Sequence, residues 1–453
     1  MTSTARYSET RVKVTGDPLD VVVRLAEAGP HTEYVVYEKD GEYAYAGGVL
    51  AEVVLDRNGG RTGDVALAWH DRPLNLVRSL LAEIPVRDWR AYGWVAFELS
   101  YAKSGARDLL GDQRLAHLVV PRSEVRISGG WALIRAVDPA EGAVLADLVT
   151  ACRPTTTPCP EPVDVRHTGG HGYRAAVMGA VGDITANLLQ KVILSRVVDL
   201  ADIDLAATYV LGRRGNTPAR SFLLRLDGLE AAGFSPEVVA SVSACGEVVS
   251  QPLAGTRALS DDDALNEFNR TELLSDVKEI YEHAISVKIG NDELLTVCEP
   301  GSVHVRGLMT VKRRGTVQHL ASQVAGRLAD GFDAWDALAA LFPAVTASGV
   351  PKEAAYSAIR RYESEPRGLY GGAVLTVDES GELDAALVLR TVYRERGRTW
   401  LRAGAGIVAQ STPDREFEET CEKLDSVARF LVPAPKPLCE RIDRTHDSGA
   451  VHR

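Results

Sequence analysis

Strand-length apolar runs recur down the whole chain, and this recurrence limits the fold more than any other property. In residues 1–165 the runs YVVYE, YAYAGGVLAEVVL, WVAFELSYA and WALIRAV are separated by Gly, Asp and Pro, residues that end strands and shape turns. Helical stretches such as PLNLVRSLLAEI lie between them. Beyond residue 170 a helical pattern through YRAAVMGAVGDITANLLQ leads into KVILSRVVDL, whose period-two alternation is that of a strand. SFLLRL, EVVASVSA, LTVDE, AALVLRTVYR and WLRAGAGIVA read as further strands, and SDVKEIYEHAISVKIG, FDAWDALAALF and REFEETCEKLDSVARFL as helices. No fixed-period repeat is present, which disfavours solenoids and propellers. CRPTTTPCPEPVD reads as a loop between two halves, and residues 433–453 as a disordered tail.

The formal net charge of -11 over 453 residues argues against a nucleic-acid or anionic-membrane partner, since both demand a cationic footprint. An anionic small molecule remains compatible, given local cations. The N-terminal stretch MTSTARYSETRVKV has no apolar run of signal-peptide length, and no segment approaches the roughly 20 apolar residues of a membrane helix. A cytoplasmic location is expected. The six cysteines are scattered without CxxC spacing, so neither a zinc site nor a disulfide framework is suggested.

The segment EFEETCEKLD crowds five carboxylates into ten positions. Glu416, Glu419 and Lys423 fall on one helical face, with Phe417, Cys421 and Leu424 on another. The same Glu-x-x-Glu spacing recurs at Glu279 and Glu282. Two such helices could bring four carboxylates into one space, and an all-oxygen set suits magnesium rather than zinc. Spacing alone favours the plainer reading, solvated faces with Glu419–Lys423 support.

Lys191 opens an apolar strand, where desolvation can make a lysine a general base; a strand-end lysine reaching water is the plainer reading. Glu237, after a proline in GFSPEVV, could act as a general acid or be a surface turn glutamate. PLAGTR and RAGAGI read as glycine-bearing bends whose N–H groups could receive a carboxylate, or as ordinary tight turns. Arg390 lies within an apolar strand and needs an anion, internal or bound.

Taken in order, KVILSR, FSPE, PLAGTR, KEIYEH, VQHLAS, FPAVTASGVPK, RGLYGGAV, ALVLR, WLRAGAGIV and EFEETCEKL resemble the chorismate-utilising family of anthranilate, isochorismate and salicylate synthases. NTPARSFLL, EHAISV and GRTWLRAGAGI look most like its salicylate-forming branch. The resemblance is dense from about residue 170 to 432 and looser before. It implies an α/β (α+β) fold like that of anthranilate synthase component I: one large domain of two stacked, mostly antiparallel sheets wrapped by helices. Residues 1–165 would form the N-terminal part of the sandwich and 166–432 the catalytic region.

The resemblance also implies magnesium on Glu282 and Glu419, with Glu279 and Glu416 close by, and chorismate as substrate. Gly255, Thr256 and Lys423 would help hold its ring carboxylate; Tyr370, Arg390 and the Gly404 backbone would take the pyruvyl carboxylate. Thr346, Leu389 and His319 would shape the pocket. Lys191 would activate water and Glu237 protonate the departing hydroxyl, giving isochorismate and then, by pyruvate elimination, salicylate. An enzyme stopping at isochorismate and a non-catalytic metabolite-binding relative are the alternatives. Ala254 stands where aminodeoxychorismate synthases carry a lysine, and Gln251 departs from the family's usual glutamate. With water as nucleophile, no glutaminase subunit is expected, and a monomer is.

Overall fold

The structure, a computed structural model, describes residues 6–69, 73–151, 159–315 and 317–435. Most of the expected loop at 152–164 and of the tail from 433 lies outside the described residues. The described part of the tail is not loose at its start. Pro433 bridges Ile203, and the Ala434 N–H donates to the Asp202 carbonyl at 3.1 Å.

Period-two runs become strands because alternate side chains can then enter the core while every backbone group finds a ladder partner. Among the described residues the strands join into one hydrogen-bonded antiparallel network. Its middle is the long strand Ala116–Ser128. One arm leaves that strand through Glu42–Asp56, Tyr34–Lys39, Arg220–Leu226, Leu229–Ser235, Thr391–Glu395 and Arg398–Ile407, ending near Lys191–Leu200. The other runs through Arg90–Val95, Ala373–Asp378, Leu383–Leu387, Val238–Val242 and Glu247–Ser250 to Val317–Arg327. Strands from the N-terminal third thus pair with strands from beyond residue 200 in both arms.

The two arms fold face to face. Val35, Phe222 and Leu224 of the first pack with Tyr92, Trp94 and Val374 of the second in one buried cluster. A polar cross-tie runs through it: the Tyr37 hydroxyl donates to Asp384 Oδ1 at 2.6 Å, and Arg220 grips the same carboxylate at 2.6 and 2.9 Å. The stacked layers are therefore arms of a continuous sheet, because Ala116–Ser128 pairs along its edges with strands of both.

Each arm carries one of the two acidic helices. Val277–Leu294 is started by Asp276, whose carboxylate accepts from the Lys278 and Glu279 N–H groups, a cap worth ~1 kcal/mol. It lies on Leu253–Ala258 and Val317–Arg327. Pro413–Ala428 begins with proline at its first position and packs Phe417, Cys421 and Leu424 into the main core against Arg398–Ile407. Among the described residues no helix is long and apolar enough to cross a membrane.

RAGAGI is not a bend. Residues 402–407 continue a strand in unbroken register with Lys191–Leu200, Gly404 opposite Ser195 and Gly406 opposite Ile193. The glycines are there for clearance: a Cβ at 404 would lie 2.6 Å from the Leu194 carbonyl and 2.8 Å from the Tyr370 hydroxyl, and one at 406 would lie 2.9 Å from Glu282. PLAGTR does bend. The strand Leu253–Ala258 bulges between Ala254 and Arg257, with Gly255 at φ +66°, a conformation glycine adopts without strain.

Candidate active site

Where the two arms end, one cavity is lined by every residue expected in the site except Glu279 and Glu416. Strand pairing explains the convergence. Lys191 and Ile193 project from the same face of their strand as Gly404 and Gly406 on its neighbour, while Glu237 and Gly255 enter from the other arm.

Lys191 is not a strand-end lysine reaching water: its side chain is 2% exposed and its Nζ lies 3.4 Å from Glu282 Oε2. Glu237 is buried as well and accepts from the Thr346 hydroxyl at 2.6 Å. Burial pushes its carboxyl up to about 8, against the opposing pull of Thr346, the Leu253 backbone and Lys191. Glu237 therefore carries a proton at neutral pH and can give it away.

The carboxylate pairs are buried rather than solvated. Glu279, Glu282 and Glu416 are buried, and Glu419 is 13% exposed at its side chain. Burial, then Glu419 and Glu282, raise Glu279 to about 7; burial and Glu419 also raise Glu416. Glu419 goes the other way. Burial would raise it, but Lys423, bonded at 2.7 Å, and Lys278 bring it down to about 2. Nothing in the sequence pattern singles out Lys278. It bridges the helices, donating to Glu416 Oε1 at 2.8 Å and lying 3.8 Å from Glu282 Oε1. Its nearness to Glu282 is readable as i,i+4 spacing; its bond to Glu416, 138 positions away, is not.

Among the described residues these side chains do not form a ready metal-ligand cluster; Lys191, Lys278 and Lys423 pair with them instead. Among the described residues two buried oxygens nevertheless accept no hydrogen bond, Glu282 Oε1, which Lys278 approaches only to 3.8 Å, and Glu416 Oε2. An all-oxygen set with orphaned carboxylate atoms and mutual repulsion fits a hard divalent cation. Gly255 packs against the same group, since a Cβ there would lie 3.0 Å from Glu279 Oε2.

At the far wall His319 Nδ1 lies 2.7 Å from the Gly255 carbonyl, so Nδ1 carries the hydrogen and Nε2 accepts from Arg390. Burial and Arg390 hold this histidine neutral. Arg390 is half-buried, at φ +50°, and desolvation and Arg314 lower it to about 10. Among the described residues no carboxylate pairs with it; its neighbours are His319 and the Arg314 carbonyl. The internal salt bridge that could have explained Arg390 is absent there, leaving a guanidinium facing the cavity. Tyr370 and Leu389 complete this end, and Lys423 also donates to the Gly404 carbonyl at 2.9 Å. Arg402 lines the cavity too and was missed because its strand position reads as an ordinary exposed arginine.

The chain matches the family described as chorismate binding enzyme over residues 31–429. It is 43% identical over 439 residues to a salicylate synthase from Mycolicibacterium paratuberculosis, covering 92% of this chain and 94% of that one. An anthranilate synthase component 1 from Streptomyces coelicolor is 47% identical, over only 43% of this chain and 38% of its own length. Among solved structures, anthranilate synthase component I from Streptococcus pneumoniae aligns with a TM-score of 0.74 at 25% identity, over 86% of this chain and 92% of that one. The menaquinone-specific isochorismate synthase from Escherichia coli shares the fold at TM-score 0.75 and 22% identity, over 94% and 95%.

Proposed function

This chain belongs to the chorismate-binding enzyme family, and we propose that within it the chain is a salicylate synthase, converting chorismate through isochorismate to salicylate and pyruvate. Similarity to a salicylate synthase along 94% of that protein's length supports this branch over those whose likeness is confined to the catalytic half or to the fold. The observation that carries the chemistry is a buried lysine and a proton-bearing glutamate, Lys191 and Glu237, lining the same cavity.

Water attacks ring carbon 2 while Lys191 removes its proton. Glu237 donates its proton to the hydroxyl at carbon 4, which departs as water as the double bonds shift. One water enters and one leaves. General acid and base groups each contribute about 10²–10⁴ in rate. Lys191 and Glu237 end with their protons exchanged and are restored through solvent. In the second step the hydrogen on carbon 2 moves to the pyruvyl methylene as the ring carbon–oxygen bond breaks, giving salicylate and pyruvate with no external reactant. That step needs alignment rather than another proton donor.

Arg390 offers a bidentate grip to the pyruvyl carboxylate, with Tyr370 and the Gly404 backbone beside it. Gly255, Thr256 and Lys423 face the ring carboxylate; Thr346 holds Glu237, and Leu389 and His319 shape the wall. Glu282 and Glu419 would hold magnesium, with Glu279 and Glu416 adjoining; when bound, the cation supplies positive charge opposite the ring carboxylate. We further propose that the enzyme acts alone, as a monomer in the cytoplasm, since its nucleophile is water.

Incubation with chorismate and magnesium, followed by salicylate fluorescence and pyruvate assay, tests this reading. Salicylate with equimolar pyruvate supports it. Isochorismate alone would indicate an isochorismate synthase, and no turnover a binding relative.

A further inference from the structure

Behind the pyruvyl end of the cavity, the Glu363 carboxylate is 3% exposed at its side chain and accepts five hydrogen bonds. Its Oε1 receives the Ser195 N–H and hydroxyl at 2.8 and 2.9 Å and Arg367 Nη2 at 2.6 Å. Its Oε2 receives Arg367 Nε at 2.9 Å and Arg402 Nη2 at 2.6 Å. Burial would raise this carboxyl, but the two guanidinium groups hold it below its ordinary value. Both arginines are almost wholly closed to solvent.

Each arginine reaches onward to a part of the site. Arg367 donates to the Ala347 carbonyl at 2.6 Å and the Ile193 carbonyl at 2.7 Å. Ala347 follows Thr346, which holds Glu237; Ile193 is two residues from Lys191. Arg402 donates to the Ser195 hydroxyl and the Pro366 carbonyl at 2.8 and 2.7 Å. Its donors are thus engaged within the protein, although it lines the cavity. The Tyr370 ring lies against both guanidinium groups, 5.6 Å from Arg367 and 5.5 Å from Arg402.

We propose that Glu363 is a positioning residue for the reaction: by gathering Arg367 and Arg402 it sets the Thr346 loop, the Lys191 strand and Tyr370 in one mutual geometry. This rests on the reaction assigned above. The elimination step depends most on the pyruvyl group being aligned over carbon 2, so loosening the wall behind Tyr370 slows it more than hydration. Small displacements of reacting groups carry large rate penalties.

Glu363→Gln, checked for folding by circular dichroism and melting, should raise KM for chorismate and raise the released isochorismate-to-salicylate ratio roughly tenfold; Glu363→Asp should restore part of both. Ser195→Ala, which deletes the hydroxyl shared by Glu363 and Arg402 without stranding a charge, should shift the ratio the same way. A folded Glu363→Gln enzyme with the wild-type KM and ratio overturns the proposal, as does one with reduced kcat alone, the mark of a smaller active fraction. If Glu363→Gln does not fold, an unchanged ratio in Ser195→Ala overturns it. Failure of the wild type to make salicylate would sink the reaction assignment instead; the positioning role would then be decided by chorismate affinity in calorimetry, unchanged affinity in the folded variants refuting it.

Discussion

Lys191 Nζ stands 3.4 Å from Glu282 Oε2, with the lysine side chain 2% and the glutamate 10% exposed. The pair couples the base proposed for water activation to the proposed cation site, since Glu282 Oε1 is left without a hydrogen-bond partner among the described residues. Lys191→Ala should therefore lower formation of both isochorismate and salicylate by at least about 100-fold. Product chromatography after chorismate turnover measures this, and wild-type rates would remove Lys191 as the base.

Glu237 sets an alkaline limit. With its carboxyl at about 8, turnover should fall as pH rises past that point, and Glu237→Gln should lose both that limb and most of the rate. Stability carries the same signature with a definite sign. Between the ordinary carboxyl value of 4.5 and about 8 the folded state binds the proton that the unfolded state releases, so this group's contribution to stability falls as pH rises through that window and is lost above it. Urea unfolding at pH 5.5, 7 and 8.5 should show wild type losing stability relative to Glu237→Gln.

Magnesium binding should release protons. Glu279, raised to about 7 by burial and by Glu419 and Glu282, must ionise fully beside a cation, so calorimetric heats at pH 6.5 should depend on buffer ionisation enthalpy, and depend on it less in Glu279→Gln. Binding should tighten as pH rises, and Glu282→Gln should impair the metal dependence of turnover. A metal titration unchanged by Glu282→Gln would contradict the assignment.

Arg390 should show binding and stability moving apart. Removing one partner of a desolvated charge pair costs about 2–5 kcal/mol of affinity, so Arg390→Met should raise KM for chorismate by about 30-fold or more. Because the half-buried guanidinium has no carboxylate partner among the described residues, the variant should melt no lower than wild type. Calorimetric melting checks the second half; a large loss of stability would show that Arg390 serves the fold.

Alternating strands and the two Glu-x-x-Glu helices were legible in sequence because both follow local periods. What escaped was tertiary. WLRAGAGIVA reads as a strand, yet its RAGAGI part also reads as a bend, since nothing local reveals that Tyr370 and Glu282 press on its glycines from outside the strand. Lys278, Arg402 and Glu363 have ordinary neighbours in sequence, and each has a partner that local spacing cannot reveal, 138, 207 and 168 positions away. Glu416 sits on the polar face of an amphipathic helix yet is fully buried, because Lys278 arrives from another element to meet it.

The most direct measurement is a timed assay of the purified protein with chorismate and magnesium, following salicylate fluorescence and pyruvate together. Salicylate and pyruvate should accumulate in equal amounts as chorismate disappears, and neither should form without the metal. Isochorismate accumulating without pyruvate, or chorismate left unconsumed, would contradict the assignment.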